Sequence, residues 1–119
     1  MSAEADVLVV EDDTDVRSSM ADILREAGYA VREACDGLEA LGVLSDGPVG
    51  VVLLDLRMPR CDGYGVLASL ENPPPIVIVS AHEVGDRERS YLLPEVAVIL
   101  KKPVLPATLL DHVAAVIGR

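Results

Sequence analysis

A chain of 119 residues is one domain long, enough to bury an apolar core of its own. Its 20 acidic and 10 basic side chains leave a formal charge of −10, which argues against direct nucleic-acid binding and against an anionic membrane surface. Half of the residues are hydrophobic but Phe and Trp are absent, so the core must be built from Val, Leu, Ile and Ala.

Strand and helix patterns alternate along the chain. Val7 to Val10 is a continuous apolar run, the pattern of a strand covered on both faces, and Glu11-Asp12-Asp13 follow it directly. Asp13 or Thr14 can cap a helix with Val16, Met20, Ile23, Leu24 and Ala27 at helical spacing, and Gly28 ends it. Tyr29 to Ala34 alternates and is more polar, which fits an edge strand. Asp36-Gly37 turns the chain into a short helix carrying Leu38, Leu41 and Leu44, closed by Asp46-Gly47-Pro48. Val49 to Leu54 is a second fully apolar strand, delivering Asp55.

A third helix, carrying Val66, Leu67 and Leu70, is expected to run to Asn72-Pro73-Pro74-Pro75. Ile76 to Val79 forms the next strand and delivers Ser80. The segment from His82 to Leu93 has few apolar residues; alternation makes it a helix with a thin packed face. Val96 to Leu100 is the fifth strand, ending at Lys101-Lys102-Pro103, and Pro106 opens a last helix with Leu109, Leu110, Val113 and Ile117 inward.

Five β–α repeats with nothing left over predict an α/β, doubly wound parallel sheet in a single domain, residues 1–119. In such a sheet the carboxyl ends of the strands share one edge, where ligands bind. Glu11, Asp12, Asp55, Ser80 and Lys102 all fall there. Three carboxylates, a hydroxyl and an ammonium suit a divalent cation beside a transferable phosphoryl group.

The set Glu11-Asp12, Asp55-Leu56-Arg57-Met58-Pro59 with Asp62-Gly63, Ser80-Ala81 and Lys102-Pro103 resembles the receiver domain of two-component response regulators, over essentially the whole chain. The resemblance implies the flavodoxin-like (βα)5 fold, with sheet order 2-1-3-4-5 and helices on both faces. It implies Asp55 as phosphoacceptor, taking a phosphoryl group from a sensor histidine kinase or a histidine phosphotransfer protein. Mg2+ is the implied cofactor, with Asp12, Asp55 and the backbone carbonyl of Arg57 as direct ligands and Glu11 acting through a bound water. Lys102 would meet a phosphoryl oxygen as a point charge, and Ser80 would donate to another as the switch hydroxyl. The downstream partner would be an unknown protein or an attached output domain; homodimerisation is a further possibility.

Two choices of register follow. Asp12-Asp13 is also an acidic pair, but the position straight after the apolar run favours Glu11 and Asp12, leaving Asp13 to cap. Family members carry their lysine directly before proline, often across a cis bond, which selects Lys102 and leaves Lys101 as a solvated neighbour. The order of the strands also separates Cys35 from Cys61 by an intervening strand, so both are expected as free thiols. No basic and apolar leader and no run of about 20 apolar residues is visible, and a cytoplasmic location is expected.

Duller readings stand beside these. Asp12 and Asp55 could be turn formers, and Ser80 an ordinary turn residue. His82 could influence water access to the site, but reads more simply as a helix-start residue, and His112 as surface. Where many family members have Tyr or Phe three residues before the lysine, this chain has Ile99, so an aromatic switch is not available. The alternative function is a pseudo-receiver, a phosphorylation-independent interaction module; it usually lacks one of the acidic pair, the acceptor or the lysine, all present here. An aspartyl-phosphate phosphatase would need an acid two residues after Asp55, where Arg57 stands. The domain would thus catalyse only its own phosphorylation and dephosphorylation, and is not an enzyme in the usual sense.

Overall fold

The structure, a computed structural model, describes residues 5–56, 73–81, 85 and 96–118. Five strands, β1 (Ala5–Val10), β2 (Val31–Ala34), β3 (Val49–Leu54), β4 (Ile76–Ser80) and β5 (Val96–Lys101), form one parallel sheet in the order β2-β1-β3-β4-β5. Three helices are described: α1 (Thr14–Glu26), α2 (Gly37–Asp46) and α3 (Pro106–Ile117). The α/β doubly wound fold expected from the sequence and the strand order implied by the family resemblance are both present. The helices expected around Val66 and between His82 and Leu93, and with them Arg57, Cys61 and His82, lie outside the described residues.

The continuous apolar runs are explained by burial on both sheet faces. Leu8 and Val10, with Val52, Leu54, Ile76 and Ile78, pack on one face against Ala40 and Val43 of α2. Val7 and Val9, with Val51, Leu53, Val77 and Val79, pack on the other against Met20 and Leu24 of α1 and Leu109 and Val113 of α3. Alternate residues of one strand therefore enter two cores, and no position in β1 from Val7 to Val10 can be polar. Ile99, in place of the aromatic residue, packs partly buried against the α2-side core.

Local signals set the helix ends. Asp13 caps α1, its carboxylate accepting from the Val16 N–H at 3.1 Å. Gly28 takes φ +97° just beyond the C-cap Ala27, a left-handed conformation suited to glycine. Asp36 caps α2, accepting from the Glu39 N–H at 2.9 Å, while the Glu39 side chain accepts from the Cys35 N–H at 2.9 Å. Pro106 opens α3.

Leu38 of α2 stays outside the core. It is 50% exposed, and α2 instead buries Gly37, Ala40 and Val43, with Leu41 and Leu44 only partly covered. The small residues let the helix backbone approach the sheet, turning the leucine stripe to the flank.

Gly50 is the position in β3 where a side chain has no room. A Cβ built there would lie 2.8 Å from the Asp6 carbonyl oxygen of β1, which is backbone and cannot swing away. Gly50→Ala is therefore expected to destabilise the domain by about 1–3 kcal/mol, read as a lower midpoint in urea or heat. An unchanged midpoint would show that β1 and β3 can part locally without loss.

Candidate functional site: a carboxylate cluster at the sheet edge

β1 and β3 are neighbours, so the residues that follow them meet at the same edge. The Asp55 N–H donates to the Val10 carbonyl at 3.1 Å, and the Glu11 N–H to the Ala34 carbonyl of β2 at 3.0 Å. These backbone bonds carry the ladder one residue past the strands and bring the carboxyl groups together. Glu11, Asp12 and Asp55 each place an oxygen within 4.8 Å of the other two. Glu11 is 1% exposed and Asp55 7% exposed, whereas Asp12 faces solvent.

Lys102 reaches this cluster from the far side of β4. Its N–H donates to the Ser80 carbonyl at 2.8 Å, which ties the residue to the end of β4, and the Lys102–Pro103 bond is cis. The ammonium pairs with Asp55 Oδ2 at 3.0 Å and with Glu11 Oε1. Lys102, not Lys101, is the lysine of the cluster; Lys101 is exposed and in register with Ser80. Ser80 is 2% exposed, at the strand end that the Lys102 side chain crosses. Asp13 lies at the margin as the cap of α1 and donates its N–H to Glu11 Oε2 at 3.3 Å.

The electrostatics follow from this crowding. Burial pushes the Glu11 carboxyl up from 4.5 to about 7, helped by a hydrogen bond with the Asp12 side chain and resisted by Lys102 and the Asp13 N–H. Burial also works against the Lys102 ammonium, but Glu11 and Asp55 more than offset it, and its pKa is raised above the usual 10.5. Among the described residues one ammonium faces three carboxylates, so the edge carries more negative charge than Lys102 offsets.

The raised Glu11 carboxyl has a signed consequence. The folded state holds this proton more tightly than the unfolded chain, so its contribution is fully present below pH 4.5 and is lost as pH rises through about 7. Without divalent cations the domain should be less stable at pH 8 than at pH 5 by an amount on the order of 2 kcal/mol from this group, since the loss accrues at about 1.36 kcal/mol per pH unit only up to about pH 7. Denaturation of wild type and Glu11→Gln at both values checks it. The wild-type loss should exceed that of the variant, and parallel profiles would count against a proton held on Glu11.

Other groups lie near the cluster. An open cleft of about 630 Å³ runs between α1 and the stretch after β5, with Val16, Met20, Ile23, Pro103 and Val104 in its wall and Lys102 beside them. Cys35 is a free thiol whose pKa is raised, first by its hydrogen bond with Glu39, so it stays protonated. His112, on α3, is partly exposed. Arg17, which sequence reasoning did not single out, donates from Nη1 to the Glu11 carbonyl at 2.8 Å.

Comparison with known proteins agrees with this geometry. The response regulator receiver domain profile matches residues 7–114. The chain is 35% identical over 116 residues to the transcriptional regulatory protein PrrA of Mycobacterium bovis, covering 95% of this chain and 50% of that one. It is 36% identical over 101 residues to the sensor histidine kinase RcsC of Salmonella typhimurium, covering 82% of this chain and 11% of that one. The chain thus spans about half the length of PrrA. Among solved structures, the chemotaxis protein CheY4 of Vibrio cholerae superposes with a TM-score of 0.81 at 29% identity, over 98% of this chain and 99% of that one. A receiver domain protein of Methanospirillum hungatei gives a TM-score of 0.85 at 23% identity, over 99% of this chain and 95% of that one, a likeness of fold. No described helix is long and apolar enough to cross a membrane. With that profile over most of its length and the 2-1-3-4-5 sheet beneath it, the chain belongs to the response regulator receiver family of signalling domains.

Proposed function

We propose that this domain accepts a phosphoryl group on Asp55 and that the modification is its signal. The observation that carries the reading is the convergence of Glu11, Asp12 and Asp55 within 4.8 Å, with Lys102 paired to Asp55. A carboxylate oxygen of Asp55 attacks the phosphorus of a phosphohistidine or of acetyl phosphate. The O–P bond forms as the P–N or P–O bond to the donor breaks, and the imidazole or acetate leaves with that electron pair. Lys102, already at hydrogen-bond distance from Asp55, is placed to meet the charge of the arriving oxygens. Ser80, at the end of the intervening strand, is the hydroxyl that would donate to one of them.

The cluster fits Mg2+, because its donors are hard carboxylate oxygens and its charge exceeds what one ammonium offsets. Asp12 and Asp55 would hold the ion directly, with Glu11 through water and Arg57 through its carbonyl. When bound, the ion would neutralise the repulsion between Asp55 and a phosphoryl polyanion. Phosphoryl donors of this class are sensor histidine kinases or histidine phosphotransfer proteins, and the readout would be a separate protein or an attached output domain in the cytoplasm. No departure in Glu11, Asp12, Asp55 or Lys102 favours the phosphorylation-independent alternative. The domain acts catalytically only on itself.

Intact mass after incubation with acetyl phosphate tests this. A single adduct of about 80 Da that requires Mg2+ is expected. A folded protein that gains no adduct and ignores Mg2+ would instead be an interaction module.

A further inference from the structure

Arg17 is not among the groups assigned above, yet its guanidinium makes two contacts that meet at the turn after β1. Nη1 donates to the Glu11 carbonyl at 2.8 Å, and Nε lies 3.4 Å from Glu33 Oε1 on β2. The side chain is only 16% exposed. Glu33 is held in turn by Arg25 at 3.1 Å, and Arg25 Nη2 donates to the Val31 carbonyl at 3.1 Å. A guanidinium–carboxylate–guanidinium bridge therefore ties α1 to the edge strand, and one end of it grips the Glu11 peptide.

That grip bears on the carboxylates. The Glu11–Asp12 peptide unit is planar, so the direction of the Glu11 carbonyl sets the direction in which Asp12 starts. The Glu11 N–H is fixed separately by the Ala34 carbonyl at 3.0 Å. With Arg17 in place both polar groups of the Glu11 backbone are held, one to β2 directly and one through Glu33. Asp12 is exposed and has little packing to hold its approach to Asp55.

We propose that Arg17 is a positioning residue for the cation site, holding the Glu11–Asp12 peptide so that the carboxylates stay convergent. The proposal rests on the reading of Glu11, Asp12 and Asp55 as the Mg2+ site. It makes a prediction opposite in sign to that of simple electrostatics. A guanidinium near a cation site repels the cation, so its removal should tighten Mg2+ binding if charge were its only effect. If it positions the donors, its removal should loosen binding, and outer residues that orient metal ligands typically matter by about 10–100-fold.

The test is calorimetric titration of Mg2+ into the whole chain as wild type, Arg17→Met, Arg17→Lys and Arg25→Ala, with thermal midpoints measured alongside. Methionine keeps the aliphatic stem and loses both contacts, and a loss of about tenfold in affinity is expected. Arg17→Lys keeps the charge but has a point donor in place of the fork, and should lose about threefold; it serves if the methionine variant does not fold. Arg25→Ala removes the more exposed guanidinium from the same Glu33 carboxylate and should stay within roughly twofold of wild type. Folded Arg17 variants that bind as tightly as wild type, or more tightly, would overturn the proposal. So would a lowered midpoint with an unchanged dissociation constant, since that is a structural role alone. Wild type that takes up no Mg2+ defeats the cation site itself, and this inference with it.

Discussion

Asp55→Asn should gain no phosphoryl adduct from acetyl phosphate under conditions where wild type is fully labelled. The amide matches the carboxylate in size but has no anionic oxygen to form the O–P bond, so the loss should be effectively complete, well over about 10²-fold. The fold should survive. Asp55 is 7% exposed and its N–H is bonded to the Val10 carbonyl, neither of which the substitution changes. The variant also takes one negative charge from a cluster in which three carboxylates face a single ammonium. Its thermal midpoint without Mg2+ should therefore equal or exceed that of wild type. Intact mass with and without Mg2+, read together with the midpoint, separates the possibilities. A variant that is labelled to the same stoichiometry would move the acceptor to another carboxylate, and one that is unlabelled because it is unfolded would show a collapsed midpoint.

The elements that carry this chemistry were legible because each depends on a strong local signal. A strand buried on both faces must be apolar throughout, so Val7 to Val10, Val51 to Leu54 and Ile76 to Val79 announce themselves, and the polar residue that ends each marks the sheet edge. The choice of Lys102 over Lys101 came from the family resemblance, and the cap of α1 stood open between Asp13 and Thr14 until the Asp13 carboxylate was seen to accept from the Val16 N–H. What escaped was set by packing between elements. The leucines of α2 have the right spacing, but Gly37, Ala40 and Val43 have it too, shifted along the helix, and only the closeness of sheet and helix decides between them. Gly50 reads as one more small residue in an apolar strand until the Asp6 carbonyl is seen 2.8 Å from where its Cβ would be. Arg17 looks like the polar side of an amphipathic helix; its partners lie on Glu11 and on β2, at separations no periodicity encodes. The carboxylates of the cluster are thus written in the sequence, and the contacts that surround them are not.

Lys102→Ala tests how far the ammonium holds the site together. In wild type it pairs with Asp55 at 3.0 Å and with Glu11, at 19% side-chain exposure. Removing it leaves Glu11, Asp12 and Asp55 facing one another, and breaking a largely buried pair by deleting one partner destabilises by about 3–5 kcal/mol. The sign with pH follows from Glu11. Its carboxyl stands at about 7 with Lys102 pulling it down, so without Lys102 it rises further, and the stability held by its proton is lost as pH climbs through that higher value. The loss of the Asp55 pair is felt at both pH values, and the defect should be smaller near pH 5, where Glu11 is protonated in either protein, than near pH 8. Mg2+ at about 100 times its dissociation constant should return roughly 2.7 kcal/mol, since it binds the folded state alone. Urea denaturation at both pH values, with and without Mg2+, reads all of this, and an equal defect at pH 5 and pH 8 would contradict it. Labelling by acetyl phosphate should persist, because the acceptor and the acidic pair remain. The change in amide exchange that phosphorylation causes in β4 and β5 should shrink, since the group that links Asp55 to the end of β5 across Ser80 is gone. Retention of the full wild-type change would mean that the signal leaves Asp55 by another route.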